Sequence, residues 1–299
     1  MKQTDVQANN QRPLVIYHAN CWDGFCAAWV ARMALGDIEA VPAYYGASPP
    51  TVAGREVYIL DFSYKRAVLH AILASARSVV ILDHHKTAEA ELAGIVDEFI
   101  QRPDITPPQD LMANPNGSAL PRVWFDMNKS GGRMAWEFFA YVGGWQGMKS
   151  PWLVDYTEDR DLWRHALPDS ENINAALRSY PLDFALWDEF NSSVGQREIF
   201  KREGSAIRRA ERAIVESHVR NAREVEMDGH CVLSVNATVL FSEIAGELAK
   251  GRPFGACYFD RQDGKRTWSL RSDAAGLDVS AIARAHGGGG HTHAAGFEE

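Results

Sequence analysis

The chain has 299 residues, 46% of them hydrophobic and 23% charged, enough to bury a full core and to form two domains of ordinary size. Its formal net charge of −8 counts against a protein that coats long nucleic acid, because that affinity rests on cations facing many phosphates. Four scattered cysteines, Cys21, Cys26, Cys231 and Cys257, have neither metal-knuckle spacing nor the density of a disulfide scaffold, so the expected compartment is a reducing cytoplasm.

Residues Met1 to Arg12 are polar and lack the apolar core and small-residue cleavage site of a secretion signal. No run approaches the ~20 apolar residues of a membrane span, so no membrane partner is expected. Leu14 to Tyr17 is a short apolar run, followed by a loop at His18 to Gly24 and by Phe25 to Leu35, which suits a buried helix. The pattern returns at Glu56 to Leu60 before Asp61, and at Ser78 to Leu82 before Asp83. Each β-prone run stops at an aspartate and gives way to a helical stretch. Such alternation predicts an α/β fold with a mainly parallel sheet and helices on both faces. Ligands gather beyond the carboxyl ends of such strands, where His18, Asp61 and Asp83 fall.

The stretch Arg102 to Pro121 is rich in Pro, Asn and Gly and reads as a long loop of the kind that covers a site, ahead of a strand at Val123 to Phe125. Ser130 to Tyr141 and Pro151 to Trp163 read as helices. Ser192 to Arg223 reads as a long charged helix, with Ile199, Ile207, Ala210, Ile214 and Val215 at helical spacings. After it, Cys231 to Val235, Phe254 to Phe259 and Thr267 to Arg271 read as strands, with helices near Ser242 to Lys250 and Val279 to His286. The glycine run before His291 is too flexible for an element interior and suits close approach of the backbone to a ligand. The expected organisation is a mainly parallel-sheet domain over 13–191, a long joining helix over 192–223, and a smaller C-terminal α/β domain over 224–299.

Chemistry-bearing residues collect in four places: His18 with Asn20, Cys21 and Asp23; Asp61; Asp83-His84-His85; and Asp155, Glu158, Asp159 and Asp161. Carboxylates mixed with imidazoles, and no CxxC, suit a hard or borderline divalent ion such as Mn²⁺ or Mg²⁺ better than a structural zinc site. A carboxylate that bridges two ions about 3.5–4 Å apart permits the two-metal route of phosphoryl hydrolysis. The plainer alternative for a strand-end aspartate is a helix cap. Trp22, Phe62 and Trp163 adjoin these clusters, and either stack on a base or pack in the core. Trp29, Trp136 and Trp187 lie in helical stretches and read as core.

The run Ile81-Leu82-Asp83-His84-His85-Lys86-Thr87-Ala88 resembles the signature of the Asp-His-His (DHH) phosphoesterase superfamily, in its RecJ-like and nanoRNase-like branches. Tyr17-His18-Ala19-Asn20-Cys21-Trp22-Asp23-Gly24 resembles its first motif, Leu60-Asp61-Phe62 its second, and Glu158-Asp159-Arg160-Asp161-Leu162-Trp163 its fourth. Trp268-Ser269-Leu270-Arg271-Ser272, Gly288-Gly289-Gly290-His291 and Ala294-Ala295-Gly296-Phe297 resemble the DHH-associated substrate-binding domain.

The resemblance implies that 13–191 is catalytic and that Asp61 bridges two Mn²⁺ ions, or Mg²⁺ or another divalent ion in their place. Asp23, His84 and Asp159 would complete one site and His18 would belong to the other, with Asp155 as the alternative to Asp159. His85 would sit beside the reacting phosphate and Asp83 would orient the histidines. Arg271, Gly289, Gly290 and His291 would bind substrate, in keeping with bidentate capture by Arg and with backbone amides facing an anion. His293 lies outside the matched positions. One departure stands out: Cys21 replaces the first of the motif's two aspartates. Asn20 lending an amide oxygen, Cys21 binding as a thiolate and favouring a softer ion, a weak site, and an inert buried cysteine all remain open.

The expected activity is hydrolysis of phosphate esters in short single-stranded oligonucleotides or small nucleotides by metal-activated water, with the substrate's far phosphate held by Arg271 and His291 across an interdomain cleft. The alternatives are a non-catalytic nucleotide-binding module with an impaired metal site, or hydrolysis of cyclic dinucleotides, 3′,5′-bisphosphate nucleotides or pyrophosphate. Long duplex DNA is not an expected partner.

Overall fold

The computed structural model describes residues 12–95, 123–273 and 275–299. The chain divides into two compact units, Met1–Gly204 and Ser205–Glu299. The expected covering loop at Arg102 to Pro121 lies outside the described residues.

The first unit runs β1 (Leu14–His18), α1 (Trp22–Leu35), β2 (Glu39–Ala43), β3 (Glu56–Leu60), α2 (Arg66–Ser75), β4 (Ser78–Asp83), α3 (Lys86–Leu92), β5 (Val123–Phe125), α4 (Gly131–Val142), α5 (Trp152–Asp161), α6 (Ser170–Leu177), α7 (Phe184–Ser192) and the start of α8 (Gln196–Arg220). Its five strands are all parallel, in the order β2-β1-β3-β4-β5. The chain steps one way from β1 to β2 and the other way from β3 onward, so the sheet switches direction between β1 and β3.

Strand alternation explains the apolar runs. Leu14 and Ile16, Val57 and Ile59, and Val79 and Ile81 join one core with Leu69, Ile72 and Leu73 of α2 and Leu92 of α3. Val15, Tyr58, Leu60, Val80 and Leu82 join the other, with α1 and α4 to α7. A sheet covered on both faces needs apolar residues at every position, which is why the runs show no polar alternation. Helix α1 is buried without interruption from Asp23 to Ala31. Gly24 lets it start close over β1, since a Cβ there would come 2.5 Å from the His18 carbonyl oxygen. Strand β2 was not expected from the sequence. It carries Pro42, which an edge strand tolerates because one side of its ladder needs no donor.

The second unit contains the rest of α8, then β6 (Arg223–Met227), β7 (His230–Asn236), α9 (Phe241–Ala249), β8 (Gly255–Asp260), β9 (Arg266–Arg271), α10 (Val279–Ala285), β10 (Gly289–His291) and β11 (Ala294–Glu298). Its mixed sheet has the order β10-β11-β9-β8-β7-β6, with β7 and β8 parallel and the other pairs antiparallel. α10 covers one face through Val279 and Ala283. α9 covers the other through Ile244, Ala245 and Leu248, beside Val215 and Val219 of α8.

The glycine run departs from expectation, because it is built into regular structure. The N–H of Gly287 donates to the Arg284 carbonyl at 3.0 Å and that of Gly288 to the Ala283 carbonyl at 2.8 Å, which closes the end of α10. Gly289 and Gly290 then pair with Gly296 and Ala295 as an edge strand. A Cβ at Gly288 would lie 2.1 Å from the Gly296 carbonyl oxygen, so the absence of side chains permits a tight hairpin instead of preventing an element. The amides of Gly287 and Gly288 therefore serve the fold. Among the described residues, no helix is long and apolar enough to cross a membrane.

Candidate metal centre

Parallel register sets out the site. Tyr17 pairs with Leu60 and Leu60 with Leu82, so the next residues, His18, Asp61 and Asp83, form one row at the carboxyl edge of three adjacent strands. Neighbouring strands lie ~4.8 Å apart, so the three side chains start within reach of one another. Asp61 has a left-handed backbone, φ 54, and its N–H is held by the Leu82 carbonyl at 2.8 Å. A non-glycine residue in that region carries strain that its surroundings must hold in place.

The Asp61 carboxylate is buried and faces two ways. One oxygen, Oδ1, lies 2.9 Å from His84 Nε2, and the other, Oδ2, lies 3.6 Å from His18 Nδ1. Asp83, fully buried, is occupied by the protein itself. Its Oδ1 accepts from the backbone N–H of His84 at 2.8 Å, from that of His85 at 3.2 Å and from His85 Nδ1 at 2.7 Å, while Oδ2 accepts from Ser63 Oγ at 2.5 Å. With Nδ1 held by Asp83, His85 turns Nε2 away from that carboxylate.

Asp23, in the first turn of α1, accepts from the N–H groups of Gly131 and Gly132 at the start of α4, and its Oδ2 lies 3.5 Å from His84 Nε2. The tight approach requires both glycines. A Cβ on Gly131 would lie 2.4 Å from Asp61 Cβ, and one on Gly132 would lie 2.8 Å from Cys26 Sγ. Ser130 caps the same helix by accepting from the Arg133 N–H at 3.2 Å. These three residues were missed in the sequence, where Ser-Gly-Gly opening a helical stretch was the available signal.

The acidic segment of α5 is distributed differently from the sequence expectation. Asp159 accepts from the N–H groups of Ala166 at 2.9 Å and Leu167 at 3.3 Å, so both of its oxygens close the turn after the helix. Asp155 is held by Arg133 and by Ser150 Oγ, and Glu158 by Arg133 Nε at 3.0 Å. Asp161 is the carboxylate that turns to the cluster, with Oδ2 3.6 Å from His84 Nε2. Helical period separates the two candidates: at ~100° per residue, Asp159 and Asp161 point to roughly opposite sides, with Asp155 nearer Asp159. Of the α5 carboxylates, the structure brings Asp161 to the cluster, and neither Asp159 nor its alternative Asp155. Asp161→Asn is expected to weaken divalent-ion binding with little change in melting temperature. Asp159→Asn is expected to cost about 1–3 kcal/mol of stability through its lost charge-assisted hydrogen bonds. Calorimetric ion titration and thermal denaturation of the two variants check this.

Two donor sets result, and within each the candidate atoms lie within 4.8 Å of one another: His18, Cys21 and Asp61 on one side, and Asp23, His84 and Asp161 on the other. Asp61, Asp83 and His85 form a further group of the same tightness. Burial and the nearby Asp161 and Asp61 charges push the Asp23 carboxyl well above the usual carboxylate range, and burial raises Asp161 as well. Burial opposes ionisation of Asp61 too, but the His18 and His84 imidazoles outweigh it and hold its carboxyl well below that range. Burial disfavours the His84 cation, yet Asp161, Asp61 and Asp23 overcome this and raise it well above an ordinary histidine. Asp61 Oδ2, Asp161 Oδ2 and His18 Nδ1 are buried and make no hydrogen bond. Crowded carboxylates with lone pairs left over fit a divalent cation, which satisfies them and offsets their repulsion.

Asn20 is exposed, with φ 53. Phe62 is fully buried and stacks on His18, with ring centroids 6.1 Å apart, so it supports the site from beneath. Trp163 is exposed, with the Arg160 guanidinium 4.0 Å over its ring. Tyr45, absent from the sequence reading, is 53% exposed and sets its ring edgewise against His18 and His85 at 5.6 and 6.0 Å. Trp29, Trp136 and Trp187 are core, as expected.

In the second unit, His291 pairs with Ala294 and Ala294 with Arg271, so Arg271 and His291 share a row and a face of the sheet two strands apart. Arg271 is braced by the Leu270 carbonyl at 2.7 Å and Ser242 Oγ at 2.7 Å. His293 bonds Ser272 Oγ at 2.9 Å.

A doubly wound parallel sheet with a buried acidic and imidazole cluster at its switch point defines an α/β protein with a candidate divalent-metal centre. Its fold is similar to that of a solved DHH domain. A solved DHH domain from a member of the s1p family of ribosomal proteins superposes with a TM-score of 0.52 over 95% of this chain and 82% of that one, at 12% identity. RecJ from Thermus thermophilus, solved with Mn²⁺, aligns over 98% of this chain and 50% of its own, with a TM-score of 0.49 and 15% identity. In sequence, an uncharacterized protein of Acanthamoeba polyphaga mimivirus is 27% identical over 314 residues, which is 96% of this chain and 68% of that protein. No protein-family profile matches the chain.

Proposed function

We propose that the chain is a divalent-metal-dependent phosphoesterase acting on short single-stranded oligonucleotides or small nucleotides. The observation that carries this reading is Asp61, one oxygen of which faces His84 and the other His18, each within its own donor set. Asp61 would then be common to two ion positions, one held by His18 and Cys21 and the other by Asp23, His84 and Asp161. Mn²⁺ or Mg²⁺ bound there supplies positive charge that polarises phosphoryl oxygens and acidifies a water.

The chain's own groups do the rest. Asp83 holds the proton on His85 Nδ1, which leaves Nε2 of the neutral ring as an acceptor that can take a hydrogen bond or a proton from the attacking water. Tyr45 offers an exposed ring to a base beside the cluster. Arg271 and His291 take an anionic end of the substrate, Arg271 in an orientation set by Ser242. A few cations at fixed points suit a small anionic ligand on a chain with net charge −8 better than a long polyanion does.

The test is incubation of the full chain with Mn²⁺ and a panel: a short 5′-labelled RNA, a short DNA, a cyclic dinucleotide, a 3′,5′-bisphosphate nucleotide and pyrophosphate. Turnover of one nucleotide substrate is expected, abolished by chelator and restored by Mn²⁺. Turnover of pyrophosphate alone would leave Tyr45 without a role. Ligand-induced stabilisation with no turnover would replace the enzyme by a nucleotide-binding module.

A further inference from the structure

The two donor sets beside Asp61 are chemically unequal. Asp23, His84 and Asp161 offer two carboxylates and an imidazole, all hard or borderline donors. His18, Cys21 and Asp61 offer an imidazole, a sulfur and a carboxylate. The backbone separates the two contributions. Cys21 is extended, φ −123 and ψ 127, immediately before α1, and belongs to the His18 set. Asp23, two residues on and already helical, belongs to the His84 set.

Resting on the two-ion reading of the site, we propose that the position formed by His18, Cys21 and Asp61 takes a thiophilic divalent ion, of the Zn²⁺, Co²⁺ or Cd²⁺ class, in preference to Mg²⁺ or Mn²⁺. The Asp23, His84 and Asp161 position keeps the harder ion, so the centre holds two unlike metals. Three features of the first set carry this. Its donor atoms all lie within 4.8 Å of one another. Donors each ~2.0–2.3 Å from a shared ion fall within such a span. Two of its atoms, Asp61 Oδ2 on a side chain 1% exposed and His18 Nδ1, are buried without a hydrogen bond, so a ligand position is open there apart from the cysteine itself. Sulfur then sets the preference, because soft donors select Zn²⁺ and its neighbours while carboxylate and water suit Mg²⁺ and Mn²⁺. Cys26, the other cysteine of the first unit, is packed in the helical core and belongs to neither set.

Titration of the metal-free full chain with Co²⁺ tests this without reference to turnover. A thiolate-to-cobalt charge-transfer band in the near ultraviolet is expected, lost in Cys21→Ser and retained in Cys231→Ser, whose cysteine is exposed and belongs to none of the donor groups among the described residues. Competition with Zn²⁺ should show Cys21→Ser weakened by at least the roughly 10–100-fold that loss of a ligand's supporting partner costs, with Mn²⁺ capacity unchanged. Cys21→Asp should shift the same position toward Mn²⁺, which covers the case in which Cys21→Ser folds poorly. Binding of Co²⁺ with no such band, or a band that survives Cys21→Ser, overturns the inference and leaves the two-ion centre standing. No binding of Co²⁺, Zn²⁺ or Mn²⁺ overturns both.

Discussion

Asp61→Asn is expected to abolish measurable turnover and to weaken binding of both ions by more than the ~100-fold at the upper end of what removing a supporting partner costs. The amide keeps the shape of the side chain but offers one oxygen where the carboxylate offers two. Either the His84 side or the His18 side must then face an NH₂ group. No rotamer serves both donor sets, so the loss is shared between them. Stability should change far less. The variant gives up a charge-assisted contact with His84, but it also relieves Asp23 and Asp161 of the carboxylate that helps push the first, and raises the second, above the usual range. Calorimetric titration of the two ions, with a thermal melt of each metal-free protein, separates the effects. Near-native affinity for two ions in Asp61→Asn would remove the bridging role from Asp61.

The row of His18, Asp61 and Asp83 was legible because buried parallel strands are apolar at every position, so the first polar residue marks the carboxyl edge of the sheet. Asp83 and His85 were legible for the same reason, with the histidine pair following directly on the strand end. Less legible was which carboxylate of α5 turns to the cluster. Proximity to Trp163 and Arg164 favoured Asp159, whereas helical phase assigns Asp161 to the cluster and leaves Asp159 to close the following turn. The edge strands β2 and β10 were hidden because Pro42 and Gly289-Gly290 are tolerated only where a neighbour is missing on one side or is unusually close, and local composition carries no record of that. Gly131 and Gly132 were hidden for a related reason. Their role is set by contact with Asp61, Asp23 and Cys26, all far away in the sequence.

That contact makes Gly131→Ala the sharpest probe of how tightly the fold positions Asp61. The new Cβ would lie 2.4 Å from Asp61 Cβ and 2.9 Å from its Oδ1, and neither partner is free to retreat. Asp61 is fixed by its left-handed backbone and its bond to Leu82, and α4 by the Gly131 and Gly132 bonds to Asp23 and by the Ser130 cap. Relief therefore moves Asp61 or withdraws α4 from Asp23, and both donor sets lose their spacing. Overpacking of this kind costs about 1–3 kcal/mol. A displacement of ~1 Å at a reacting centre costs on the order of 100-fold in rate. Gly36→Ala is the matched control. At φ 76 it strains the backbone by a comparable ~1–2 kcal/mol, but its Cβ meets nothing within 4 Å. Both variants should therefore melt a few degrees early, and only Gly131→Ala should lose ion affinity and turnover. Equal retention of both activities would mean that the site tolerates movement of Asp61, and the demand for a glycine at 131 would then be one of packing alone.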